Sequence, residues 1–263
     1  MAVAGARQQA QEIYTFWKNV CETRQHERHT GLTVCVPGGT CSSAVLLHRE
    51  LRKLTTKTTQ QEQQQRKELK AGNNPNTKSE GDIDARDDLA ADIRVVVVPC
   101  VGDDAYARRQ MMSLSTQVGG TADDIPTVLS PSPLIDDGSS SFGQIGLNDL
   151  LPPEMQRSMA TAEEDSAYFT FGEPDEKILE TFQMLRRDHD LVLDLLYGAP
   201  SWTIMLRHWN SDLPSSDVEF DPYHPLAGRE IMYVHSGGLE GINSQLLRYK
   251  YKGLVSIDDI QIP

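Results

Sequence analysis

The sequence lacks several features that would classify it at once. Its 263 residues include only four cysteines, Cys21, Cys35, Cys41 and Cys100, with no C-x-x-C pair. That spacing argues against a zinc site and leaves the thiols as small, reduced core residues. No stretch approaches the ~18 apolar residues of a membrane span. After Arg7-Gln8-Gln9 the chain stays polar, unlike a secretion signal. Cations are scarce: 25 Lys and Arg face 38 Asp and Glu, giving a net charge of −13. Such a balance argues against nucleic-acid and anionic-membrane partners. The expected protein is cytoplasmic and metal-free. There is no Gly-Lys-Ser/Thr ending of a P-loop and no G-x-G-x-x-G fingerprint.

What is present is an alternation of strand and helix patterns. Gln9 to Glu22 has helical spacing, with Ile13, Phe16, Trp17 and Val20 on one face. Leu32–Val36 reads as a strand buried on both faces. Thr40 is the expected N-cap of a helix over Cys41–Leu54, with Ala44, Leu47, Leu51 and Leu54 facing the core. Thr55 to Arg86 is rich in Gln, Lys, Thr, Asn and Glu. It cannot bury enough apolar surface to offset its ordering entropy. That stretch reads as a helix tail running into a disordered insertion, so the expected organisation is one α/β domain in two pieces, 1–54 and 92–263, around a polar insertion at 55–91.

In the second piece, Ile93–Val98 carries four consecutive valines, the look of a central parallel strand. Helices are expected over Asp103–Leu114, Asp175–Asp188 (with Ile178, Phe182 and Leu185 inward) and Trp202–Trp209. Gly119–Leu147 and Asn210–Gly228 read as loops, and Leu191–Leu193 and Ile231–Val234 as strands. The pattern predicts a mostly parallel sheet flanked by helices, with ligands beyond the carboxyl ends of its strands.

Two glycine turns sit at such ends: Pro37-Gly38-Gly39-Thr40 and His235-Ser236-Gly237-Gly238. A strand, a glycine turn and a helix start can bind an anion, because bare backbone N–H groups approach it and the helix terminus carries partial positive charge. A tight turn without a ligand is the plain alternative at each.

Together with Asp194-Leu195-Leu196-Tyr197, these turns resemble the D-cysteine desulfhydrase / 1-aminocyclopropane-1-carboxylate deaminase family. That family consists of fold-type II, tryptophan synthase beta-like enzymes that use pyridoxal 5'-phosphate. Pro37–Thr40 with Cys41–Ser43 resembles its phosphate loop, and Arg94–Cys100 its valine-rich strand. Asp194–Tyr197 resembles its Asp-Pro-Val-Tyr, and Tyr233–Gly238 its Tyr-x-His-Thr-Gly-Gly. The order and spacing agree over roughly Ile13 to Tyr249, allowing for insertions. The resemblance implies that Gly38, Gly39, Thr40 and Ser42 cradle the cofactor phosphate. It implies that Ser236 meets the pyridine nitrogen and that Tyr197 is catalytic. The implied reaction is β-elimination on a small amino acid such as D-cysteine, releasing ammonia and pyruvate.

Three departures qualify that expectation. The residue after Tyr197 is Gly198, so a carboxylate there, as in some deaminases, is absent, which weighs against cyclopropane ring opening. Thr170-Phe171-Gly172 replaces a Gly-Tyr-Gly, so a second tyrosine hydroxyl is lost. The family's N-terminal region, with its Schiff-base lysine in a Gly-Asn-Lys-like context, has no counterpart. The expectation is a truncated chain, inactive alone, that works with a separate N-terminal half or as a homodimer. The alternative is a non-catalytic relative, a pseudoenzyme that keeps a phosphate pocket. Tyr197 as a half-buried core ring and Ser236 as a helix N-cap are the plain readings of those residues.

Overall fold

The computed structural model describes residues 2–23, 31–72, 92–122, 124–130, 168–209 and 225–256. Four strands form one parallel sheet: β1 (Leu32–Gly38), β2 (Ile93–Pro99), β3 (Thr127–Val128) and β4 (Glu230–Tyr233), in the order β3-β2-β1-β4. β1 pairs with β2 from Leu32↔Ile93 to Gly38↔Pro99, and with β4 from Leu32↔Glu230 to Cys35↔Tyr233. The chain moves outward from β1 to β2 and β3, then returns to the opposite side of β1. The strand order therefore reverses between β1 and β4, the switch point where open α/β sheets bind ligands.

Alternation along the strands sorts the core into two layers. Val34, Val36, Val95 and Val97 face one side, packed on α1 (Ala2–Thr23), α2 (Ser42–Gly72) and α3 (Asp104–Gln117) through Trp17, Leu47, Leu51 and Met111. Cys35, Val96 and Val98 face the other side, against Ile204 and Met205 of α5 (Gly198–Trp209). Burial on both faces explains the unbroken valine run. Outside α5, Ile178 and Phe182 of α4 (Glu176–His189) pack with Leu246 and Tyr249 of α6 (Ile242–Tyr251).

Several expected boundaries shift for physical reasons. The buried face of α1 runs through Ala6, Ala10, Ile13, Tyr14 and Trp17, set by its packing on α2, and Phe16 is 55% exposed. Thr40 is not the N-cap of α2: its Oγ1 lies 3.0 Å from Ser42 Oγ, and Cys41 takes a left-handed φ of 59° before the helix starts at Ser42. α2 continues to Gly72, where Gln, Glu, Lys and Arg are good helix formers. The rest of the expected insertion, 73–91, lies outside the described residues, as do most of the two expected loops.

Leu191–Leu193 is not a strand among the described residues. Asp190, in a left-handed C-cap conformation, closes α4, and Leu191 N–H donates back to the Leu185 carbonyl at 3.1 Å. A three-residue apolar run carries no periodicity that separates a strand from a buried connection. α5 begins at Gly198, ahead of the expected Trp202. Pro200 is tolerated there because the first helical N–H groups have no intrahelical partner anyway.

Candidate functional site

Three backbone segments meet beyond the carboxyl ends of β1 and β4. Tyr197 brings the first two together. A Cβ placed on Gly39 would lie 3.1 Å from both Cε1 and Oη of Tyr197, so the glycine turn after β1 rests directly on that ring. Gly38 is equally confined, with the hypothetical Cβ 2.5 Å from Val97 Cγ1, and its carbonyl accepts from Cys100 N–H at 2.9 Å. The third segment joins through Asp194: a Cβ on Gly238 would stand 3.2 Å from the Asp194 Cβ and Cγ.

Asp194 organises the centre. It is buried, and its carboxylate accepts from the N–H groups of Leu196 at 2.9 Å, Tyr197 at 2.7 Å and Gly198 at 2.9 Å. The carboxylate thereby takes up the free N–H groups at the N-terminus of α5 and complements its dipole. Gly198 has no room for a side chain, since a Cβ would come 2.8 Å from Leu193 Cβ and 3.0 Å from Asp194 Oδ2. An acidic side chain at that position is sterically incompatible with this packing.

α2 is the counterpart without a cap. Among the described residues no side chain accepts from its first N–H groups, and its first turn holds no acidic residue. The hydroxyls of exposed Thr40 and half-buried Ser42 pair with each other beside this open terminus. Of the helix N-termini at this end of the sheet, those of α5 and α3 are capped by Asp194 and Asp103, and that of α2 has no side-chain cap among the described residues.

Burial sets the protonation of the remaining groups. It pushes the Tyr197 phenol above its usual range, and the neighbouring Cys100 and Asp194 add to the rise. The phenol therefore keeps its proton at neutral pH and is a donor rather than a base. Burial also pushes Cys41 up to about 11 and Cys100 up to about 12, so neither thiol is a ready nucleophile. Cys100 Sγ lies 3.1 Å from Ser201 Oγ on α5, beneath the turn.

On the rim, Phe171 is 45% exposed and packs against Tyr197 with centroids 5.3 Å apart. Its turn is fixed to α6, where Arg248 donates to the Gly172 carbonyl at 2.9 Å and Lys252 pairs with Glu173. Ser236 is exposed on the turn after β4. The other lysine ion pairs among the described residues, Lys18 with Glu22 and Lys53 with Glu50, lie on α1 and α2. Among the described residues no cluster of His, Cys, Asp and Glu could hold a metal, and no helix is long and apolar enough to cross a membrane.

Gly38, Gly39 and Tyr197 thus share one site with Thr40 and Ser42 at its α2 side, and Ser236 stands on the adjoining turn. Sequence reasoning missed Asp194 as a cap, although Asp just before a helix is the usual signal. It gave no role to Trp202, whose ring lies 5.7 Å from that of Tyr233 and whose indole nitrogen is buried without a hydrogen bond. Burial, with Cys100 and Asp194 nearby, raises the Tyr233 phenol. No protein-family model matches the chain, and no curated protein matches it.

Proposed function

We propose that this site binds pyridoxal 5'-phosphate, in a protein similar to the lyases and deaminases that act on small amino acids such as D-cysteine. The observation that carries the reading is the N-terminus of α2, without a side-chain cap among the described residues, behind a glycine turn in which a Cβ on Gly39 would meet Tyr197. A phosphate group is the kind of ligand that completes such a terminus. The residues present fit the phosphate end of the cofactor: Gly38 and Gly39 leave their backbone bare, and Thr40 and Ser42 offer hydroxyls. Ser236 would meet the pyridine nitrogen with a neutral hydroxyl. When bound, the cofactor supplies an electron sink for carbanion chemistry at the substrate α-carbon. Tyr197 would keep a proton on Oη at the site, and Phe171 would cover its ring from water.

A second reading is favoured by the same geometry. Lys252 at the rim is paired with Glu173, and Phe171 offers no hydroxyl beside Tyr197. A phosphate pocket with that lining also suits a non-catalytic relative that binds the ligand and transforms nothing.

The test compares pyridoxal 5'-phosphate with phosphate-free pyridoxal in equilibrium binding. The phosphorylated form should bind at least about tenfold tighter, a difference of about 1.4 kcal/mol. Equal affinity would sink the reading. Borohydride reduction and mapping of modified residues then separate its two versions. One stoichiometrically modified lysine favours the enzyme, and diffuse surface labelling favours the non-catalytic binder.

A further inference from the structure

We propose that His235 is a positioning residue, whose neutral ring holds the Ser236–Gly238 turn in the shape that presents Ser236. β4 ends at Tyr233, and Val234 N–H makes the last bond to β1, donating to the Cys35 carbonyl at 2.9 Å. Beyond it the chain leaves the ladder and must satisfy its backbone locally. Gly237 N–H donates to His235 Nδ1 at 3.1 Å, and the Gly238 carbonyl accepts from Gly241 N–H at 3.0 Å. The imidazole fixes the entry to the turn and the following single turn of 3-10 helix fixes its exit. Between them Gly237 and Gly238 hold φ values of 90° and 89°. Glycine has the widest conformational freedom of any residue, so such a pair keeps one shape only where bonds impose it.

An acceptor at Nδ1 decides the tautomer: the neutral ring carries its proton on Nε2. A second proton, placed on Nδ1, turns the acceptor into a donor facing a donor, and the bond to Gly237 is lost. The titratable groups around the turn are Asp194, against which Gly238 packs, Glu240 in the 3-10 turn (Leu239–Gly241), and Tyr233 at the end of β4. β1 meets the segment through the Cys35 carbonyl. His235 itself is exposed. The role rests on the functional reading above for what Ser236 meets, but the turn can be observed without any ligand.

The experiment compares the wild-type chain with His235→Asn and His235→Ala. Asparagine is the conservative variant, because its side-chain oxygen accepts from the N–H two residues on, as in an Asx-turn, and does not titrate. Nitrogen-15 NMR reads the imidazole tautomer and the solvent exchange of the Gly237 amide relative to its intrinsic rate. The Gly237 amide should be protected in the wild type and in His235→Asn alike. His235→Ala should lose that protection by roughly fivefold, the worth of one modest hydrogen bond. Affinity for pyridoxal 5'-phosphate should follow the same order. Equal Gly237 exchange in all three proteins, or a wild-type neutral ring protonated at Nδ1, overturns the proposal. If Gly237 behaves as stated while no variant binds pyridoxal 5'-phosphate, the positioning role stands and the functional reading falls.

Discussion

The two ends of the sheet are held by different means. At the amino end, Arg229 reaches across the starts of three strands. It donates to Asp92 Oδ2 at 2.7 Å, Thr33 Oγ1 at 2.8 Å and the Leu32 carbonyl at 3.0 Å, and it is almost fully buried. Arg94 adds a second guanidinium to Asp92 at 3.0 Å. At the carboxyl end the ties are backbone ones: glycine α-carbons against Tyr197 and Asp194, and N–H groups on one carboxylate. The charge clamp engages the Asp92 carboxylate with two guanidinium groups. Bare backbone groups beside an open helix terminus can still take an anion. On the function proposed above, stability lies at one end and recognition at the other.

The sharpest way to break this division is Arg229→Ala. It strips a half-buried carboxylate of its main partner and should cost about 3 kcal/mol in thermal or denaturant unfolding. Binding of pyridoxal 5'-phosphate by the folded fraction should be unchanged. The clamp also has an acid signature. Burial alone would raise Asp92, but the Arg229 guanidinium, with Arg94, outweighs it and holds the carboxyl below its usual range. A depressed folded value means stability that is fully present above the ordinary Asp range and lost as pH falls through the lower, folded one. The wild type should therefore lose stability below about pH 4 through this group, a loss that should be missing in Arg229→Ala. An identical acid slope in both proteins would remove the clamp from the account.

Asp194→Ala comes next and attacks the carboxyl end at its organising residue. Losing a buried cap that serves several N–H groups should cost about 2 kcal/mol of unfolding free energy. Unlike Arg229→Ala, it should also weaken ligand binding, because Tyr197 and the Gly238 turn lose their common support. A variant that is destabilised yet binds normally would separate Asp194 from the site.

Gly39→Val is the inverse of Arg229→Ala. The new side chain meets the Tyr197 ring and covers the approach to α2. The stability cost should be about 1 kcal/mol, in the range for overpacking at a partly exposed position. The affinity for pyridoxal 5'-phosphate should fall by at least about tenfold. Loss of folding without selective loss of binding would mean that the turn is structural only.

How much of this could be read from the sequence follows the same division. The parallel sheet, the valine run and the inward faces of α2 and α4 were legible, because burial on both faces and helical periodicity leave repeated marks. Both glycine turns were legible as strand ends. What escaped were positions set by a single tertiary contact. Phe16 follows the helical period of Trp17 yet is exposed, because α2 covers a slightly different stripe. Thr40 suits an N-cap by type, but its hydroxyl pairs with Ser42. The apolar run at 191–193 gives no sign that α4 and α5 meet there without a strand. Arg229, Asp92 and Thr33 lie far apart in sequence, and no local pattern connects them. The resemblance that named Tyr197 and Ser236 rested on residue type and order, whereas the contact of Tyr197 with Gly39 and the cap by Asp194 are purely spatial.

Tyr197→Phe carries the smallest expected change in stability and the most specific consequence. The Tyr197 ring supplies the packing: it supports Gly39 and meets Phe171. Removing only the hydroxyl keeps those contacts, so the unfolding free energy should shift by less than about 0.5 kcal/mol, the scale of a neutral surface change. Affinity for pyridoxal 5'-phosphate should also hold, because the proposed phosphate cradle is the turn and the start of α2. What should go is any turnover, since the raised phenol is the proton-bearing group at the centre of the site. Binding and reaction should therefore come apart in this variant alone. If it turned over substrate like the wild type, Tyr197 would be a packing residue, and the carboxyl end would differ from the amino end in binding but not in chemistry.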